Sequence, residues 1–500
     1  MVDGVGCSYP FAIADDVWQR AFLTQMKGLF NNRCGMELGP PYTTFRKPRD
    51  FHPADGVRVT HTTFAATSQG PATRTTSRRL PSTTLGKPAP EAWGGYHDAG
   101  DWQPRRATHL RVTMAQLELL DLFPDYYRKL SWPLPKTSKA PAILDEALWE
   151  LDVFRRLQKA DGGVPYGIET PGDPITGEVS WNQSHPAYVY APDRLSSYVY
   201  ASAAGRAARL LPPTDPDLAA TYRASAIKAM EWAEADVAKH SKGKLHWETR
   251  DERNLAALEL FHLTGEQRWH DVFKATSCLT DAAPNLFAYG NHVQINAAFG
   301  YARLPAEKAD ATMQRKAKAA MARLADRALV YATGNAYALT HHDPGRPMFL
   351  GYFSTPEAGP VLTKAHALTG EAKYLAGAVR AAQFSAGMNP RNGTYTTGLG
   401  ANPPRNPLHL DSRRTGQPTP EGLTVYGNVD YWGWKGGFWD WPITWHLSRV
   451  CTPNPYDWPL PEAYFDIFLY PAMTEFTVDM WAPNVSTWGY LAARPATRSD

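Results

Sequence analysis

Apolar residues recur close to every 3.6 positions through most of this chain, the spacing that puts them on one face of a helix. Residues 13–31, IADDVWQRAFLTQMKGLFN, show it first. Helices are expected there and near 107–122, 142–159, 195–211, 216–239, 250–264, 267–279, 308–331, 356–369, 371–387 and 475–493. The strict alternation of a half-buried strand is sparse. Leu263-Thr264-Gly265-Glu266 and Leu368-Thr369-Gly370-Glu371 repeat one punctuation, each between two helical stretches. Glycine can take the left-handed conformation that ends a helix, and the acidic residue then lies at the positive end of the next. Both segments read as αα-hairpins. Repeated helix pairs predict an all-α fold closed into a ring.

Long irregular segments interrupt the helices at 35–93, 161–194 and 388–440. Loops of this length are uncommon in compact domains unless they serve a function. On a ring of helices they would build the rim of a cleft on one face.

Composition narrows the chemistry. With Lys+Arg at 52 and Asp+Glu at 49, the charge is nearly balanced, which argues against nucleic acid or a membrane surface as the main partner. The 17 Trp and 24 Tyr are numerous, and their flat amphipathic rings suit the faces of sugars as well as a large core. Cys7, Cys34, Cys278 and Cys451 lie far apart with no CxxC pair, so one bridge or none is expected. No apolar run approaches the roughly 20 residues of a membrane-spanning helix. The start, MVDGVGCSYPFAIADD, has no basic and apolar regions of a signal peptide.

The most distinctive segment is Gly94-Gly95-Tyr96-His97-Asp98-Ala99-Gly100-Asp101-Trp102. Two carboxylates bracket Ala-Gly just before a helix. Small residues permit a tight turn, so Asp98 and Asp101 can face one point and hold and deprotonate a water. The alternative is a capping turn in which one Asp accepts free backbone N–H groups. A further carboxylate must come from elsewhere. Glu475, in Thr474-Glu475-Phe476-Thr477-Val478-Asp479, has apolar neighbours that would keep it protonated as an acid. Its alternative is a helix-face Glu turned to water.

The segment GGYHDAGDW resembles the signature of glycoside hydrolase family 9, the cellulase family whose motif reads roughly G-G-W-x-D-A-G-D. Three further segments match in order. Asn389-Pro390 with Thr394-Tyr395-Thr396-Thr397-Gly398-Leu399-Gly400 is similar to N-P…S-Y-x-T-G-F-G. Asn406-Pro407-Leu408-His409 falls where the family has N-P-H-H-R. Glu475 to Pro483 is similar to E-x-x-I-N-x-N-A-P. The resemblance spans residues 94 to 491. It implies an (α/α)6 barrel that hydrolyses a β-glucan polysaccharide or oligosaccharide with inversion and no required cofactor. By position, Asp101 matches the base, Asp98 helps hold the water, and Glu475 matches the general acid. An inverting pair must leave room for water between its carboxylates.

Substrate contacts are carried over less fully. His409 matches the second His of H-H-R, which contacts sugar, but Leu408 and Leu410 replace the first His and the Arg. This puts the usual cellulose-binding subsites in doubt, and Arg413 or Arg414 could compensate. Tyr395 lies in the second matching segment, and Trp102 adjoins the base. Residues 426–445 are dense in rings interleaved with glycine. Trp432, Trp434 and Trp439 are candidates there for stacking on glycosyl units. Trp181, Asn182, His185 and Tyr188 could also line the cleft.

Many relatives carry structural calcium, and some carry zinc held by Cys and His near the barrel's start. Arg33-Cys34-Gly35 and Phe51-His52 fall in that region, but a family Cys-His pair would place its Cys at Phe51. Losing one thiolate should damage a four-ligand zinc site, so zinc is not expected. Calcium stays open, although no loop shows a ligand pattern. Residues 2–14 look like the tail and linker of the immunoglobulin-like sandwich that precedes the barrel in many bacterial relatives. The expected organisation is a linker or remnant at 1–12 and a catalytic domain at 13–495, secreted or periplasmic as the family implies. Three alternatives remain: an exo-acting β-glucosidase or glucosaminidase-like enzyme of the same fold, an α/α-barrel polysaccharide lyase using Arg105, Arg106, Arg413 and Arg414 as a clamp, and a non-catalytic sugar-binding scaffold.

Overall fold

A computed structural model describes residues 8–67, 77–102, 105–240, 245–288, 290–340, 359–428 and 442–494. Its principal helices are α1 (Val17–Asn31), α2 (Leu110–Leu122), α3 (Ala142–Leu157), α4 (Arg194–Leu210), α5 (Pro216–His240), α6 (Trp247–Thr264), α7 (Gln267–Thr276), α8 (Ile295–Ala302), α9 (Ala311–Thr333), α10 (Gly359–Thr369), α11 (Ala372–Ser385) and α12 (Ala482–Ala493). The even-numbered helices touch in sequence, α2 to α4, α6, α8, α10, α12 and back to α2, and so close an inner ring. Each odd-numbered helix packs outside against its even neighbours, with α1 against α12. This is an (α/α)6 barrel. No helix among the described residues is long and apolar enough to cross a membrane.

Inner and outer helices differ as the ring demands. Nearly every residue of α4 is buried, and its run of Ala201, Ala203, Ala204, Gly205, Ala207 and Ala208 lets neighbouring helices approach closely. Outer helix α9 buries a single stripe, including Met313, Ala317, Met321, Leu324 and Ala328. Charges inside the ring are paired across helices: Arg206 on α4 with Glu259 on α6, and Lys364 on α10 with Glu118 on α2. A buried charge left alone would cost several kcal/mol, so the pairing is obligatory.

The two repeated turns form as expected. Gly265 (φ 73°) ends α6 and Gly370 (φ 72°) ends α10, while Glu266 and Glu371 take the N-cap positions of α7 and α11. One expectation needs correction, and one helix was not read. The helix read over 475–493 begins only at Ala482, because Pro483 belongs in a first helical turn and the preceding residues form the site segment described below. Helix α8 escaped notice because INAAFGYA is only eight residues long, too short for a period to show.

The irregular segments also fold more than their sequences suggest. Strands β1 (Val59–Thr62), β2 (Thr84–Pro88), β3 (Arg105–Arg106), β4 (Gly167–Glu169) and β5 (Ala187–Val189) form one sheet in the order β2-β1-β5-β4-β3. It joins the 35–93 and 161–194 segments to the chain just after Asp101, with Arg105 opposite Ile168 and Arg106 opposite Gly167. Cys34, Cys278 and Cys451 are unpaired; Cys7 lies outside the described residues.

Candidate active site

Four backbone hydrogen bonds bring the motifs together. The carbonyl of Asp98 accepts from Val478 N–H at 2.8 Å, and that of Gly100 from Leu410 N–H at 2.8 Å. Leu408 N–H donates to Thr474 at 2.8 Å, and Tyr426 N–H to Glu475 at 2.8 Å. The carboxylate turn, the 406–410 segment and the 474–478 segment are thus stitched into one patch. Gly100 is required for close approach: a Cβ there would lie 1.7 Å from the Leu408 carbonyl oxygen.

Asp98 is buried. Its Oδ1 accepts from His109 Nε2 at 2.8 Å, and its Oδ2 lies 3.4 Å from an Arg106 guanidinium nitrogen. His109, fully buried at the start of α2, also faces Glu150 Oε1 at 3.7 Å. Burial alone would lower its pKa. The Asp98 and Glu150 carboxylates more than offset that and push it up to about 9. The N-cap positions of this region are Arg106 and His109, neither making a side-chain cap. Asp101 is partly accessible. Glu475 is also partly accessible. It follows the short helix Pro471–Thr474 in an extended conformation, between buried Thr474 and Phe476.

Glu169 was not singled out in the sequence. The β3–β4 pairing places it beside Arg106, and it interacts electrostatically with Asp98 and Asp101. Burial raises its pKa to about 8, Arg106 opposes the rise and the two aspartates add to it. A lone Glu in an irregular segment carried no signal. Asp411 likewise passed unnoticed. Its carboxylate accepts from Ser180 N–H at 2.8 Å and from the Ser180 hydroxyl at 2.6 Å, tying the 161–194 segment to the helix that begins at Leu410.

The expected substrate contacts are dispersed. His409 caps the helix Leu410–Thr415, its Nδ1 accepting from Ser412 N–H at 3.2 Å, and burial lowers its pKa to about 3. The ring is therefore neutral with its hydrogen on Nε2. Trp102 is buried with Cys34 and Phe51 in a left-handed conformation (φ 55°), and Tyr395 is fully buried against Phe384. Arg413 is exposed with its guanidinium over Phe468, whereas Arg414 reaches over the Trp102 ring at 5.6 Å. Trp432, Trp434 and Trp439 lie outside the described residues.

Near the turn, donor atoms of Cys34, Asp50 and His97 fall within 4.8 Å of one another, all buried. Their partners decide whether a metal fits. Lys47 Nζ lies 2.7 Å from Asp50 Oδ2, His97 Nε2 lies 2.6 Å from the same oxygen, and Arg105 NH1 lies 3.2 Å from Cys34 Sγ. Burial pushes the Cys34 thiol up to about 12, so it is not a thiolate at neutral pH. With an ammonium on the carboxylate and a guanidinium on the thiol, the set does not fit a divalent cation as it stands.

A closed (α/α)6 ring with a carboxylate turn stitched to a distant acidic segment defines the class: a glycoside hydrolase. The chain matches glycosyl hydrolase family 9 over residues 21–485 and belongs to that family. Endoglucanase D of Acetivibrio thermocellus is 24% identical over 454 residues, which cover 87% of this chain and 67% of that protein. The crystal structure of the GH family 9 endoglucanase J30 is similar with a TM-score of 0.78 at 23% identity, covering 98% of this chain and 87% of that one. A Bacteroides ovatus GH9 structure gives 0.74 at 20% identity, over 97% and 84%. These structural likenesses show the fold.

Proposed function

We propose that the chain hydrolyses β-1,4-linked glucan with inversion of configuration. Asp101 takes a proton from the attacking water, Asp98 holds that water, and Glu475 protonates the leaving oxygen. The observation that carries this reading is the bond from Val478 N–H to the Asp98 carbonyl, which brings the Glu475 segment onto the carboxylate turn. An inverting reaction needs one carboxylate on each side of the scissile bond, with space for water. The hydrogen bond to His109 fixes one Asp98 oxygen, as a water-holding role requires. Sugar contacts at His409 and at the rings of the 426–445 segment are part of this proposal. Trp102 and Tyr395 are buried and act by packing, and Arg414 in place of Arg413 stands beside the turn. No bound metal or cofactor takes part in the acid–base step. A secreted or periplasmic site of action fits a polymeric glucan, which does not cross a membrane unaided.

The test is the anomer released. NMR of products from a cello-oligosaccharide, recorded before mutarotation, should show the α-anomer first. Initial release of the β-anomer would overturn the mechanism.

A further inference from the structure

The Cys34, Asp50 and His97 cluster brings three metal-type donors together, with Lys47 on Asp50 and Arg105 on Cys34. The carbonyl of Trp102 accepts from His97 Nδ1 at 3.1 Å. That is how a backbone oxygen orients a ligating histidine so that Nε2 points at the ion. Here Nε2 meets Asp50 Oδ2 at 2.6 Å. The other Asp50 oxygen accepts from Gly35 N–H at 2.9 Å, which aims Oδ2 at the same point. What lies against Oδ2 is Lys47 Nζ, at 2.7 Å, with a side chain only 1% exposed. A second Lys47 bond, to the Arg33 carbonyl at 2.9 Å, fixes the ammonium in place. Burial alone would raise the Asp50 pKa, but Lys47 and His97 overcome it and hold the carboxyl well below the usual range.

We propose that Lys47 on Asp50 and Arg105 on Cys34 supply, as fixed cations, the positive charge that a metal ion would bring to the cluster of Cys34, Asp50 and His97, and that the resulting cluster positions the Asp98–Asp101 turn without metal. The positioning follows from connectivity. His97 immediately precedes the turn and its ring bonds the carbonyl of Trp102, which immediately follows it. The clamp therefore closes over both aspartates and holds the unfavourable left-handed backbone of Trp102. Lys47 and Asp50 anchor that clamp to the segment after α1, which also pairs with the turn through Cys34 N–H to the Gly95 carbonyl at 2.8 Å. Lys47, Asp50 and His97 are positioning residues, and only the activity readout rests on the function proposed above.

The experiment compares the full chain with its Lys47→His/Arg105→Gln variant, each produced with zinc in the medium. Metal content is measured by elemental analysis, and Tm with and without EDTA. Wild type should carry substoichiometric zinc and keep its Tm in EDTA. The double substitution replaces the ammonium with a fourth donor, takes the guanidinium off the Cys34 sulfur, and should bind zinc stoichiometrically, with a Tm that falls on chelation. Stoichiometric zinc in wild type with loss of Tm in EDTA would overturn the proposal. So would a double variant whose Tm ignores zinc, since the two cations would then not stand in a metal's place. If that variant does not fold, the wild-type measurement decides alone. Lys47→Met, which keeps length and drops charge, should lower kcat while KM stays near wild type. An unchanged kcat at undiminished Tm would overturn the positioning role, while the metal readout would stand whatever the substrate proves to be.

Discussion

His109 Nε2 lies 2.8 Å from Asp98 Oδ1, and the two side chains are 0% and 8% exposed. A carboxylate that must hold water in one orientation needs one oxygen committed elsewhere, and this contact commits it. The second His109 nitrogen faces Glu150, whose other oxygen accepts from Tyr96 N–H at 2.8 Å. The cation is thus shared between two buried acids on either side of it, with Arg106 adding positive charge beside Asp98.

This arrangement predicts an alkaline limit to stability. The folded-state pKa of His109 is raised to about 9 from roughly 6.5 for a free histidine. Its contribution is complete below the unfolded value and is lost as pH rises through the folded one. Tm should therefore decline between pH ~6.5 and ~9 more steeply in wild type than in His109→Gln, which keeps a donor but carries no charge. Parallel Tm profiles for the two proteins would show that His109 is uncharged.

Gly100→Ala should damage fold and site together. The added Cβ would sit 1.7 Å from the Leu408 oxygen, so the turn or the 406–410 segment must shift. Overpacking of rigid surroundings costs about 1–3 kcal/mol, and backbone leaves little room for relief. A lower denaturation midpoint with greatly reduced kcat is expected. Near-wild-type values in both would mean that the two segments are not in contact.

The ring was legible because its cause is local. Gly265 and Gly370 mark helix ends by a conformation few other residues tolerate, and the outer helices announce their buried stripes by period. The inner helix α8 was not, since its eight residues make little more than two turns. The site was legible where residues adjoin in sequence, as Asp98 and Asp101 do. Glu169, His109 and Asp50 were missed because strand pairing and loop closure, between residues far apart, give them their partners. Lys47 carries no sequence signal, because its partners Asp50 and the Arg33 carbonyl are set by loop closure. The 35–93 and 161–194 segments hid a sheet whose strands, two to five residues long, are too short to alternate visibly.

Asp411→Ala should loosen the 161–194 segment and leave the acid–base groups in place. It removes both acceptors of Ser180, and hydrogen bonds to a charged group are worth about 1.5–3 kcal/mol each. If that segment lines the cleft, KM for cello-oligosaccharides should rise several-fold with kcat little changed, and proteolysis within 171–186 should quicken. A fall in kcat alone would place the effect at the carboxylate turn, which the Leu410 N–H bond to Gly100 joins to the same helix.

Glu475→Gln and Asp101→Asn separate the two halves of the proposed reaction. General acid or base help contributes roughly 10²–10⁴-fold to rate. Losing the base should cost that much on every substrate, because water attack is always required. Losing the acid should cost it only where the departing oxygen needs a proton. On an aryl glycoside with a good leaving group, Glu475→Gln should retain far more activity than on cello-oligosaccharides, while Asp101→Asn should be equally inactive on both. Both substitutions keep shape and hydrogen-bonding capacity, so binding of an unreacted oligosaccharide, measured by calorimetry, should survive. Equal losses on the two substrates for Glu475→Gln would remove it from the role of acid, and Asp479, which shares the field of Arg106, would be the next carboxylate to test.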